Sequence, residues 1–225
     1  MKAKTLGIDQ FLKSKKRVMP FEGAWRAAFG QPAYVGAWII WGASGSGKTR
    51  FALQLCKELT KYGRVAYDSL EEGDSLSLQR GFQDVNMLEV SRKIILLDRM
   101  PMDELTMYLK KRKSPNFVLI DSLQYTGLTY RDYLKLRRTL PNKLFIFISH
   151  ANGKEPKGNA AQSIRYDCDC KVRVEGFRAL VTSRFAEGIP EPYTVWAEGA
   201  ERYWGRLTGE SENSLGRFGN SAQQK

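Results

Sequence analysis

The stretch GASGSGKT, residues 42 to 49, constrains this chain more than any other. It joins an apolar run, GAWIIW, to an amphipathic helical pattern in which Phe51, Leu53, Leu55 and Leu59 stand among Lys57, Glu58 and Lys61. A strand that ends in a glycine-rich turn and restarts as a helix is the context a phosphate-binding loop requires. Gly42, Gly45 and Gly47 let the backbone turn where a Cβ would clash, so that successive N–H groups point inward at phosphates. The helix N-terminus adds its partial positive charge. Lys48 is then placed to reach the β- and γ-phosphates, and the Thr49 hydroxyl to take a Mg²⁺ position. The nucleotide-lining residues are Gly42, Ala43, Ser44, Gly45, Ser46, Gly47, Lys48, Thr49 and Arg50, and the expected ligands are ATP and Mg²⁺. The alternative is an ordinary glycine-rich strand-to-helix turn.

Apolar strand patterns recur at 36 to 42, 64 to 70, 93 to 98, 116 to 122 and 143 to 150, separated by helical patterns at about 48 to 62, 74 to 83, 102 to 113 and 129 to 140. Short apolar strands alternating with helices predict an α/β fold with a mostly parallel central sheet flanked by helices. After His150 the pattern changes. ANGKEPKGNAAQSIRYD, residues 151 to 167, reads as a loop, and CDCKVRVEG, RALVTSRF and EPYTVWAEG alternate like C-terminal antiparallel strands. The tail from residue 206 is polar and glycine-rich, and disorder is expected there. The organisation is a basic N-terminal segment over 1 to 20, a core over 21 to 205 and that tail.

With 225 residues, 42% of them hydrophobic and 27% charged, the chain has the size and composition of one globular domain. No apolar run approaches the ~20 residues needed to span a bilayer. The stretch MKAKTLGIDQFLKSKKR lacks the apolar segment of a signal peptide, so a cytoplasmic location without membrane partners is expected. A four-ligand zinc site of Cys and His would need Cys56, Cys168, Cys170 and the single histidine together, and their spacing does not suggest one. YDCDCKVRV, residues 166 to 174, instead reads as a strand whose buried face carries Tyr166, Cys168 and Cys170. A net charge of +12, with clusters at KSKKR (13 to 17), KKRK (110 to 113) and KLRR (135 to 138), favours a polyanionic partner, nucleic acid above all; a solvated basic surface is the alternative.

Two further motifs carry chemistry. NFVLIDS ends an apolar strand in Asp121, which at the sheet's C-terminal edge can hold Mg²⁺ through water; capping of the next helix is the alternative. AYDSLEEG ends another strand in Glu71 and Glu72, where a carboxylate can orient or deprotonate an attacking water; a solvated acidic turn is the alternative.

In their order, GASGSGKT, YDSLEEG, VLIDSLQY, ISH and TSRF resemble the motifs of RecA-like P-loop ATPases, and look closest to the RadA and replicative-helicase branch, over about residues 20 to 205. The resemblance implies that Glu71, rather than Glu72, is the catalytic carboxylate. It implies that His150, with Ser149, senses the γ-phosphate, a simple strand-end hydrogen-bonding role being the alternative, and that the segment after it contacts DNA, through Lys154, Lys157 and Arg165, a solvated loop being the alternative. Arg184 would reach the ATP of a neighbouring subunit; pairing with Glu187 on its own surface is the alternative. RadA-like proteins carry a lysine and an asparagine before that Arg-Phe, where Thr182 and Ser183 stand here.

The function so implied is a minimal Mg²⁺-dependent ATPase that assembles as a ring or filament on DNA, with single-stranded DNA as the expected partner. Recombination, strand annealing or replication are the settings such a core suits, with proteins of those processes as further partners, and its small size is reminiscent of phage or mobile-element proteins. The competing class is an adaptor ATPase, a helicase loader or transposition regulator whose nucleotide state switches partner binding. A small-molecule P-loop kinase fits less well, because antiparallel strands rather than an arginine-bearing lid are expected after His150.

Overall fold

The computed structural model describes residues 5 to 205; the C-terminal segment expected to be disordered lies outside the described residues. Helices α1 (Ile8–Leu12) and α2 (Gly23–Phe29) precede strand β1 (Gly36–Gly42) and helix α3 (Lys48–Leu59). Next come β2 (Val65–Ser69), α4 (Leu76–Asp84), β3 (Ile94–Asp98), α5 (Met102–Leu109), β4 (Phe117–Asp121), α6 (Tyr130–Thr139) and β5 (Leu144–Asn152). The chain closes with β6 (Glu155–Pro156), α7 (Asn159–Asp167), β7 (Cys170–Glu175), β8 (Arg178–Ser183), β9 (Tyr193–Thr194) and α8 (Ala197–Trp204).

The sheet runs in the order β3-β2-β4-β5-β1-β7-β8-β9, with β6 paired to β5. Every neighbour from β3 to β7 is parallel, while β8 and β9 add antiparallel strands, so the α/β sheet expected from the apolar runs is the one formed. β1 is buried at all seven positions, as a central strand covered by helices on both faces must be. One core, around Trp38, Phe51, Tyr67 and Phe117, lies beneath α3; the other, around Phe145, Phe147, Tyr133 and Ile164, lies beneath α6 and α7. The chain joins the core before residue 21, with Met19 fully buried and Val18 bridging Ala33.

Three sequence expectations need correction. The segment 151 to 167 is not a loop throughout: Ala151 pairs with Pro156 in a hairpin, and α7 follows from Gly158 at φ 94°. That helix is stabilised by burial of Ala161 and Ile164, spaced three apart on one face. The strand expected from Tyr166 therefore begins only at Cys170, and Tyr166 is exposed. EPYTVWAEG contains a two-residue strand, after which the chain turns into α8 because Trp196 packs edge-to-face on Phe177 and Gly199 packs against both rings.

Candidate functional site

The parallel strands all end at one edge, and there β1 passes through the glycine loop into α3. Gly47 has φ 96°, and a Cβ on it would stand 3.0 Å from the Phe177 ring. A Cβ on Gly42 would meet the Val174 carbonyl at 2.2 Å. These two positions exclude other residues by backbone conformation and by close approach. No side chain caps the first turn of α3 and no acidic residue lies in it, so its N–H groups are available to an anion. Ala43, Ser44 and Gly45 form the exposed tip, and the buried Ser46 hydroxyl has no hydrogen-bond partner. That unsatisfied group, the uncapped turn and the glycine cradle are what a nucleotide phosphate chain would complete.

Lys48 Nζ donates to the Ala43 carbonyl at 2.8 Å, across the mouth of its own loop. Burial lowers its pKa, while the neighbouring charges of Asp121 and Glu71 pull it back up. Asp121 ends β4 beside β2 and is held by the hydroxyl of the fully buried Tyr67, which donates to its carboxylate. Burial pushes Asp121 up to about 6 from an ordinary 3.8; the Tyr67 hydrogen bond opposes this, Glu71 and Glu72 add to it, and Lys48 opposes it. Capping is not its task here, since no side chain caps the following turn and α6 is capped by Thr129 with Asp132.

Glu71 and Glu72 point to different partners. Glu71 Oε2 lies 2.8 Å from His150 Nε2, whereas Glu72 accepts hydrogen bonds from Ser75 and Ser77. His150 follows Ser149, the last buried residue of β5, and also faces Ser122 at 3.5 Å. Gln124 ties this corner together: its carbonyl accepts from the His150 backbone N–H at 3.1 Å, and its amide donates to Ser149 Oγ at 2.8 Å and to the Lys157 carbonyl at 2.9 Å. Thus Lys48, Asp121, Glu71 and His150, far apart in sequence, meet at one sheet edge.

Of the other candidates, two stay at the phosphate loop and the rest lie elsewhere. Thr49 and Arg50 occupy the first turn of α3, and the Arg50 guanidinium lies 6.0 Å from the centre of the Trp196 ring, its Nε buried without a partner. Lys154 and Lys157 are exposed around the β5–β6 hairpin, but Arg165 sits on α7, ion-paired with Glu155 at 2.9 Å and over the Trp41 ring. Arg184 follows β8 at the opposite end of the sheet from the phosphate loop, since Ser183 pairs with Cys170 and Cys170 with Trp38. Its partner is Asp169 at 3.4 Å, not Glu187, which binds Arg26 and Gln31. Ser183 is used structurally, donating to the Phe29 carbonyl.

Tyr67, Gln124, Phe177 and Trp196 were not singled out from the sequence. Only Tyr67 carried a signal, as a phenol in the middle of an apolar strand whose hydroxyl needs a buried partner. Among the described residues no group of three or more His, Cys, Asp and Glu side chains could hold a metal by itself, and Cys56, Cys168 and Cys170 are buried free thiols. No described helix is long and apolar enough to cross a membrane.

No protein-family model matches the chain, and no curated protein matches it in sequence. Solved structures do match. The flagellar accessory protein FlaH from Methanocaldococcus jannaschii is similar at a TM-score of 0.52 and 16% identity, over 71% of this chain and 80% of that one. A KaiC-like protein, PH0186, from Pyrococcus horikoshii OT3 gives 0.52 and 19%, over 70% and 83%. At such identities what is shared is the fold.

Proposed function

We propose, from the RecA-like P-loop ATPase fold that this chain has, that it binds and hydrolyses ATP and uses the nucleotide to control its own assembly on DNA, in recombination, strand annealing or replication. The observation that carries the reading is the meeting of Lys48, Asp121, Glu71 and His150 beside an uncapped helix N-terminus. In this account the loop N–H groups and Lys48 hold the phosphates, and Thr49 with Asp121 would hold Mg²⁺. That ion, when bound, neutralises charge on the phosphate oxygens. Glu71 takes a proton from the attacking water as the bond between the γ-phosphorus and its bridging oxygen breaks. His150 holds Glu71 and reports the γ-phosphate, and Gln124 links it to the Lys157 segment, where Lys154 and Lys157 face solvent for a DNA phosphate backbone. Arg184 lies at the opposite end of the sheet from its own phosphate loop, so any part it takes in hydrolysis is at the ATP of an adjacent copy.

The test is ATP turnover measured with and without single-stranded DNA alongside oligomeric mass. Turnover stimulated by DNA in an assembled form is expected. Slow turnover indifferent to DNA would favour the adaptor reading, in which the nucleotide acts only as a switch.

A further inference from the structure

At the sheet edge opposite the phosphate loop lies a cleft of about 660 Å³, formed where the amino ends of β2, β4 and β5 meet the carboxyl ends of α5 and α6. Arg64, Lys110, Lys111, Lys113 and Lys143 line it, and no aspartate or glutamate does. Five residues of strand at ~3.3 Å each separate it from the nucleotide edge by roughly 17 Å.

Two of the cations have structural employment. Lys143 Nζ donates to Ser114 Oγ at 2.8 Å and to the Pro115 carbonyl at 2.7 Å. Arg64 donates to the Lys113 carbonyl at 2.7 Å, holding a turn whose Lys113 has φ 70°, a left-handed conformation unfavourable to a non-glycine residue. The remaining three, Lys110, Lys111 and Lys113, are exposed and form no ion pair among the described residues. The C-terminal dipole of α5 accounts for Lys110 at its C-cap, but not for Lys111 and Lys113 beyond it, on the side of the cleft that no carboxylate lines. Mutual repulsion of five cations is a cost that an anion removes.

The lining also selects among anions. No aromatic side chain lines it, and the adjacent Tyr108 ring is covered by the Lys111 ammonium at 5.7 Å. Protein interfaces concentrate aromatic residues and Arg at their centres and are depleted in Lys, and single-stranded nucleic acid is held by bases stacked on aromatics. Lysines around a ring-free cleft suit a sequence-independent grip on sugar and phosphate. We propose that this cleft is a second nucleic-acid contact surface, which takes the phosphate backbone of a duplex at the end of the domain away from the ATP site. It does not depend on nucleotide hydrolysis, so it stands or falls apart from the reading of the phosphate loop.

The test uses the full chain with Lys110, Lys111 and Lys113 all changed to alanine, beside a charge-matched control with Arg80→Ala, Arg131→Ala and Lys171→Ala. Binding of a short fluorescent DNA duplex is titrated over a salt series, and binding of a fluorescent ATP analogue is followed in parallel. Loss of three phosphate contacts should lower the salt slope by about 2.7 units and weaken duplex binding roughly 100-fold at moderate salt. The control should change neither by as much, and ATP binding should persist in both. Unchanged duplex binding in the lysine variant, or an equal loss in the control, overturns the proposal. So does a larger loss of polyglutamate than of duplex binding, which would assign the cleft to an acidic protein.

Discussion

Changing Asp121 to asparagine is expected to stabilise the metal-free protein at alkaline pH while removing the carboxylate proposed to hold Mg²⁺. Burial raises the Asp121 pKa from 3.8 to about 6. Because the folded-state value is the higher one, its contribution to stability is complete below about pH 4 and is lost as pH rises through 6. A rise of about two units corresponds to roughly 3 kcal/mol, and water reaching part of this half-buried carboxyl reduces that to about 2 kcal/mol. Asparagine keeps an oxygen to accept the Tyr67 hydroxyl and carries no charge to desolvate. The variant should therefore match the wild type at about pH 4 and exceed it by about 2 kcal/mol at about pH 8, or roughly 4 to 8 °C in Tm. Urea unfolding in EDTA at both pH values, followed by tryptophan fluorescence, measures this. A variant less stable than the wild type at pH 8, or a difference that does not change with pH, would refute the reasoning.

Glu71→Gln should still bind ATP but hydrolyse it about 10² to 10⁴ times more slowly, as for loss of a general base, whereas Glu72→Gln, whose carboxylate is engaged by Ser75 and Ser77, should fall by less than about threefold. Single-turnover kinetics on both variants decide between them, and the reverse pattern would reassign the role. Arg184→Ala should lose about 10³ to 10⁵ in rate if it acts at a neighbour's ATP, and mixing it with Glu71→Gln should restore part of the activity through mixed interfaces. Full activity of Arg184→Ala under assembling conditions removes the assignment.

β1, β4 and β5 were legible because each is a run of buried apolar residues, and β1 coincides with the expected 36 to 42; β7, which alternates and was read as antiparallel, pairs parallel to β1 and antiparallel to β8. The helix α7 was not, because its buried face is only Ala161 and Ile164 amid Asn159, Gln162 and Ser163, a pattern too sparse to separate from a polar loop. α8 was hidden by the alternation of Tyr193, Val195 and Ala197, which mimics a strand until Trp196 packs on Phe177. Asp121, Glu71 and His150 could be named singly, since each lies at or just beyond the apolar part of a strand, and Lys48 by the glycine loop before it. Their pairings could not, because the contacts of Tyr67 with Asp121 and of Glu71 with His150 span 54 and 79 residues and depend on the strand order.

The most direct test of the account is release of inorganic phosphate from ATP, with Mg²⁺ present, by the wild type and by Lys48→Ala. Lys48 is the one side chain that both lines the loop and carries the charge proposed to meet the β- and γ-phosphates. The account predicts steady release by the wild type and a loss of about 10²-fold or more in a variant that keeps the wild-type circular dichroism. Equal release by the two proteins would contradict it.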